Sequence, residues 1–269
     1  MEPGEFHTMP FRQPGITGVV AATRRRFARH THDQYGIGII DSGAHRSLSG
    51  RGVVEAGPGE IITVNPNEVH DGASIGDGKR RWRILYIDEP VVRDAWHRIE
   101  DRPSASYEFA APALRDGTSS GLLGALFRAC AELSPEGAEA REQALLLLLA
   151  RLRSEARPDP ALRHIPAPVR DAIRRIDADP ATPVSLADLA ESCRLSRFQA
   201  LRAFARATGF TPHAYLMQRR IDRVRILLRQ GAPLVEAALE GGFADQSHMT
   251  RVFVGRFGYT PGAYAKAMR

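Results

Sequence analysis

Arg202–Tyr215 (RAFARATGFTPHAY) and Arg251–Tyr264 (RVFVGRFGYTPGAY), set in register at an offset of 49 residues, agree at seven of fourteen positions. The matched pairs are Arg202/Arg251, Phe204/Phe253, Gly209/Gly258, Thr211/Thr260, Pro212/Pro261, Ala214/Ala263 and Tyr215/Tyr264. Self-similarity at a fixed spacing, with Gly, Pro and Tyr inside it, marks a duplicated supersecondary unit.

Working upstream, each copy has the grammar of two short helices and a tight turn. In the first, Ser185 caps a helix carrying Leu189 and Ala190. A turn follows through Cys193-Arg194-Leu195, and Ser196 caps a second helix bearing Phe198, Leu201 and Phe204. In the second, Ala237 and Ala238 lie in the first helix and Gly241-Gly242 make the turn. Phe243 fills the corner, and Asp245 caps a helix that buries Met249 and Phe253. Both copies end on Thr-Pro, a cap residue with proline at the first helical position, so Thr211-Pro212 opens a long spacer helix reaching about Arg229. Such a pair is a helix-turn-helix, whose second helix can enter a major groove. Polar residues off the apolar stripe are Arg197, Gln199 and Arg202 on one candidate recognition helix. On the other they are Gln246, Ser247, Thr250 and Arg251. Arg and Gln are donors suited to purine edges, while Ser and Thr serve edges or phosphates.

Charge is distributed to match. From Pro168 onward there are 16 Lys and Arg against 9 Asp and Glu, and the remainder holds 21 against 22. A basic domain on a near-neutral one is the electrostatic pattern of polyanion binding. Ahead of it lie three zones. Gly15 to Asp88 reads as many short strands, such as Ile37–Ile40 and Ile61–Val64, hence a sandwich or small barrel. Two helices follow, Gly121 to Leu133 and Ala138 to Ala156. The Leu145–Leu149 run of the second is apolar all round and needs cover on several sides, from the barrel or a second copy. A proline-punctuated linker then runs over 158–168. Cys130 and Cys193, far apart in sequence, suit a reducing cytoplasm, and neither a membrane span nor a signal peptide is expected.

Residues 185–264 resemble the tandem DNA-binding domain of the AraC/XylS family of transcription regulators. The motifs are Leu189-Ala190…Leu195-Ser196, Tyr215-Leu216-x4-Ile221, Ala238-x3-Gly242-Phe243-Ala-Asp245-Gln246-Ser247 and Phe253-x3-Phe257-Gly258-x-Thr260-Pro261-x2-Tyr264. The resemblance implies base or phosphate contacts from Arg197, Gln199, Arg202, Gln246, Ser247, Thr250 and Arg251. Leu201 stands where some members carry a polar base-reading residue, which suggests contact with a thymine methyl or greater reliance on the backbone.

In the front half, His30-Thr-His32 precedes Tyr35, and Asn65-Pro66-Asn67-Glu68-Val69-His70 follows an apolar stretch. This resembles the paired motifs of a cupin barrel, whose histidines converge in the lumen as a plausible metal set. The carboxylate of the metal-binding pattern is missing after His32, with Tyr35 and Gly36 there instead, so no metal or other cofactor is expected. His30, His32, Tyr35, His70, Arg83 and Tyr86 are the candidates to line an effector pocket. The expected fold is α+β: a cupin-like barrel with a helical pair over 1–157, the linker, and an all-α domain of two helix-turn-helix units over 169–269. The expected function is an effector-controlled transcription regulator, more often an activator, and not an enzyme. Its expected partners are double-stranded DNA, a small-molecule effector, a second copy of the chain and RNA polymerase, with no membrane. The alternative is a metal-dependent cupin enzyme, a dioxygenase or isomerase, fused to a DNA-binding module.

Overall fold

Strands whose residues alternate between two cores set the architecture of the first half. A computed structural model describes residues 5–9, 13–50, 52–76, 78–100, 107–132, 134–155, 165–182 and 184–267, and the chain divides into two units, Met1–Ala156 and Arg157–Arg269. Strands β1 (Glu5–Met9), β2 (Ile16–Thr23), β4 (Tyr35–Ser42), β7 (Ile61–Val64), β9 (Arg80–Ile87) and β11 (Ala113–Leu114) form an antiparallel sheet in the order β1-β2-β9-β4-β7-β11. Strands β3 (Phe27–His30), β5 (His45–Ser49), β6 (Gly52–Ala56) and β8 (His70–Ser74) form a second, ordered β3-β8-β5-β6.

Because side chains alternate along a strand, the six-stranded sheet feeds two cores. Ile16, Ile37, Ile61, Leu85 and Ile87 pack against helices α1 (Glu89–Ile99), α2 (Gly117–Ala131) and α3 (Pro135–Leu152). Val19, Ala21, Ile40, Ile62, Trp82 and Ile84 instead meet Phe27 and Ala56 of the other sheet, inside the barrel. Gly38 lies on the inner side of β4, where a Cβ would sit 2.8 Å from the Arg83 carbonyl oxygen and 3.1 Å from Ile62 and Ile84.

Helix α1 has no counterpart in the sequence reading, since only Val92, Ala95 and Trp96 carry its buried stripe. The leucine run of α3 is less enclosed than expected: Leu145, Leu148, Leu149 and Leu152 are buried, whereas Leu147 stays 49% exposed. Strands β10 (Tyr107–Phe109) and β12 (Arg153–Glu155) pair at the end of this unit. Most of the expected linker, up to residue 164, lies outside the described residues. Its last residues, Ala167 and Pro168, open α4 (Ala167–Ala178).

The second unit continues with α5 (Leu186–Cys193), α6 (Arg197–Thr208), α7 (Pro212–Arg229), α8 (Leu234–Glu240), α9 (Gln246–Phe257) and α10 (Pro261–Ala267). Its helix ends carry the caps that their spacing predicts. Ser185 and Ser196 close capping boxes, Thr211 and Asp245 accept from backbone amides, and Gly209 and Gly258 end α6 and α9 in the left-handed conformation.

Helix α7, about 27 Å long, buries Tyr215, Leu216, Met217, Gln218, Ile221, Val224, Arg225 and Leu228. Toward α4, Arg219 pairs with Asp177 at 3.0 Å, and Arg220 donates to the carbonyls of Pro180 (2.8 Å) and Ala181 (3.1 Å). Toward the second copy, Arg223 donates to the Glu240 carbonyl at 2.8 Å, and the Arg225 guanidinium lies 5.4 Å from the ring centres of Phe257 and Tyr264. Arg256 of α9 returns the contact, donating to Gln218 Oε1 (3.0 Å) and the Ala214 carbonyl (3.1 Å). Five of the basic residues that raise the charge of this unit are thus engaged within it. No helix among the described residues is long and apolar enough to cross a membrane.

Both tryptophans of the chain, Trp82 and Trp96, lie in the first unit, so tryptophan fluorescence reports on that unit alone. Gly38→Ala is expected to lower the stability read by fluorescence in urea by about 1–3 kcal/mol, the usual cost of overpacking. Arg256→Ala removes both hydrogen bonds of a buried guanidinium. It is expected to cost the second unit roughly 1–3 kcal/mol, seen in the helical circular dichroism signal, with the fluorescence transition unmoved.

Candidate DNA-binding face and effector barrel

The two helical pairs of the second unit differ in how their turns are made. In the first, Arg194 takes the left-handed conformation at φ 53°, and Leu195 N–H donates to the Ala190 carbonyl at 3.0 Å. In the second, Gly242 does so at φ 83°, and Phe243 N–H donates to the Ala238 carbonyl at 2.9 Å. These turn bonds are related by an offset of 48 residues, whereas Ser196 and Asp245, which cap α6 and α9, are related by 49. Ala244 is the extra residue, absorbed in the turn so that both following helices start alike. Phe243 is buried in the corner against the His248 ring, 5.3 Å away.

On α6, Ala200 and Phe204 are buried, and Arg197, Gln199 and Arg202 are exposed. On α9, Met249, Phe253, Arg256 and Phe257 are buried, Gln246, Ser247 and Arg251 are exposed, and Thr250 is partly covered. Two expectations change. Phe198, placed on the apolar stripe by the sequence reading, is 65% exposed, because it lies two residues from Ala200 and so about 200° round the helix. It lies under the Arg202 guanidinium, 5.6 Å from ring centre to carbon, and puts an aromatic group on the outward face. Gln199 spends its side-chain oxygen on the Ser196 amide at 3.0 Å, which leaves only its NH2 to donate outward. Arg206, exposed one turn beyond Arg202, is a further cation on that face which the sequence reading passed over.

Inside the barrel of the first unit, His30 on β3 and His70 on β8 stand opposite each other in register, and His32 follows two residues on. All three are buried, with ring centres 4.4 Å (His30–His70), 4.9 Å (His30–His32) and 5.1 Å (His32–His70) apart. Tyr86 lies 4.8 Å from His32, ring to ring. The Asn65–His70 motif builds this corner. Asn67, in the left-handed conformation, donates its N–H to the His32 carbonyl at 2.7 Å, and Glu68 accepts from Asn65 at 3.1 Å. Burial pushes the His70 imidazole below its ordinary value, which favours the neutral ring.

Tyr35 and Arg83 do not join this group. Tyr35 shares the parity of Ile37, so it faces the helices. There its hydroxyl donates to the Tyr107 carbonyl at 3.0 Å, its ring meets Trp96 and Phe109, and burial pushes the phenol up to about 12. Arg83 shares the parity of Leu85 and Ile87. It chelates Asp41 at 2.9 and 3.1 Å and lies over the Phe127 ring. The inward side of β9 instead carries Arg80, Trp82, Ile84 and Tyr86. Arg80 is fully buried between Trp82 (4.9 Å) and Phe27 (5.4 Å) and donates to Ser74 Oγ at 3.2 Å. Burial lowers its guanidinium to about 10, and burial together with Arg80 lowers the neighbouring His45 to about 3. The even-numbered residues of RRWRILYI carried the signal for this lining.

A family model described as the AraC-like ligand binding domain matches residues 13–149, and one described as a helix-turn-helix domain matches 189–267. The uncharacterized HTH-type transcriptional regulator YbfI of Bacillus subtilis is 29% identical over 247 residues, 91% of this chain and 86% of that protein. The right origin-binding protein of Escherichia coli is 30% identical over 100 residues, and the match spans only 35% of that protein. Among solved structures, wild-type ToxT from Vibrio cholerae bound to unsaturated fatty acid has the same fold. It covers 96% of this chain and 97% of its own, at a TM-score of 0.57 and 15% identity. A variant of ToxT solved in the apo state aligns likewise, at a TM-score of 0.56 and 13% identity over 96% of this chain and 99% of that one. A sensor-type barrel matched over more than half the length, with a duplicated helix-turn-helix behind it, settles the relationship: the chain belongs to the AraC family of transcriptional regulators.

Proposed function

We propose that this protein is a sequence-specific DNA-binding activator of transcription whose grip on DNA is set by a small molecule bound in the barrel. The observation that carries the DNA half is the pairing of α6 and α9. Each is capped alike and exposes Arg and polar side chains at equivalent positions, Arg202 with Arg251 and Arg197 with Gln246. Phe198, Arg202 and Arg206 form one reading face with Arg197 at its N-terminal end, and Gln246, Ser247, Thr250 and Arg251 form the other. Gln199 acts first as a cap. Phe198 offers apolar contact to a thymine methyl, a part the sequence reading gave to Leu201.

For the effector, the lining consists of His30, His32, His70 and Tyr86, with the aromatic floor of Phe27 and Trp82 around Arg80. ToxT, which has the same fold, is known with an unsaturated fatty acid bound. The barrel serves as a sensor and not as a catalyst, and the protein works in the cytoplasm with RNA polymerase as a further partner. Control requires that the effector bind two states of the protein with different affinity. A second copy of the chain is the remaining partner, with half-exposed Leu147 of α3 as the apolar residue left for it.

Mapping bound sites genome-wide supplies an operator for quantitative work. On it, Arg202→Ala and Arg251→Ala are each expected to cost about 1–3 kcal/mol of binding where they read a base. A residue that holds phosphate instead weakens all sequences alike and flattens the salt dependence. Unchanged operator binding by the double variant sinks the proposal. Sedimentation tests the assembly: Leu147→Glu is expected to shift a dimer toward monomer, and a monomeric wild-type chain removes the dimer.

A further inference from the structure

We propose that His30, His32 and His70 bind a divalent transition-metal ion inside the barrel, with the open coordination positions turned to the lumen beside Tyr86. Three neutral imidazoles form a facial nitrogen set of the kind that zinc, copper, iron and nickel accept. Their ligand atoms already lie within 4.8 Å of one another, and all three residues are buried. Metal–nitrogen bonds of about 2.0–2.1 Å place the nitrogens of a facial set roughly 2.9–3.4 Å apart, so the three rings draw together on the ion.

Orientation favours the same conclusion. His30 Nδ1 lies 2.8 Å from the Ala28 carbonyl, and His70 Nδ1 lies 2.9 Å from the Glu68 carbonyl. A carbonyl only accepts, so each Nδ1 carries the proton, and in the neutral ring Nε2 carries the lone pair. A backbone carbonyl behind Nδ1 is the outer hydrogen bond that typically fixes a metal-binding histidine. The scaffold is firm as well: His30 and His70 are cross-strand neighbours, and the His32 carbonyl is held by Asn67 N–H.

The missing carboxylate, read from the sequence as a reason against metal, has a different consequence here. With neutral ligands only, the ion keeps its full double charge. Its remaining positions therefore suit an anionic oxygen donor, which gives the effector a chemical class: a small molecule with a carboxylate or similar head. That last step rests on the barrel being the effector site, whereas the metal site itself does not.

The test uses the full-length chain, stripped with chelator and titrated with Co²⁺ and with Zn²⁺. One Co²⁺ per chain is expected, with ligand-field bands of nitrogen and oxygen coordination and no thiolate charge transfer. Displacement of the bands by Zn²⁺ is expected too. His32→Ala and His70→Ala should abolish the bands, while His97→Ala, which removes an exposed histidine of α1, should retain them. Wild-type protein that binds no more Co²⁺ than His32→Ala overturns the proposal, as does a spectrum that depends on Cys193. Should the histidine variants fail to fold, pulsed electron paramagnetic resonance of the Cu²⁺-loaded wild type decides. Modulation from several imidazole nitrogens supports the site, and its absence refutes it. Co²⁺ bound with operator affinity unchanged supports the metal site and counts only against the barrel as regulator.

Discussion

Helix α7 is covered on nearly every side, and that cover gives two separate recognition helices a common frame. Its arginines are the fasteners. Arg219 and Arg220 hold the α4 side, Arg223 and Arg225 hold the second copy, and Arg256 reaches back from α9. Most of these bonds end on backbone carbonyls or amide groups rather than carboxylates, so they carry direction as well as attraction. A recognition helix tilted by a loose joint would miss its base edges even with every reading side chain present. The arginines spent inside the unit therefore set how α6 and α9 are presented.

In the first unit the comparable constraint is the two-residue period of the strands. One face of the six-stranded sheet supports helices, and the other closes the barrel. Tyr35 and Arg83 are separated from the histidines by that alternation alone. Gly36 and Gly38, inward on β4, let Ile84 and Tyr86 approach, so the lumen is shaped by absent side chains as much as by those present.

Much of the DNA-binding half was legible because its signals are local. A cap serine, an i+4 apolar pair and a Thr-Pro step each depend on a few neighbouring residues, and the repeat supplied each signal twice. What local signals do not reveal is which way an element faces. Phe198 is apolar, but its angle from Ala200 and Phe204 turns it to water. Five arginines counted as positive surface are spent on internal carbonyls, side chains and rings. In the barrel, His30, His32 and His70 were found by motif, whereas Arg80 needed the register of β9 against β2 and His45 that of β5 against β8. Helix α1 escaped notice because a single buried triplet resembles a loop between strands.

The exposed ring of Phe198 ties the behaviour of the protein in water to its occupancy. A side chain that gains by leaving water will do so on a groove, or failing that on another exposed apolar surface. In concentrated solution that ring, with the Arg202 guanidinium over it, is what α6 offers to any apolar surface it meets.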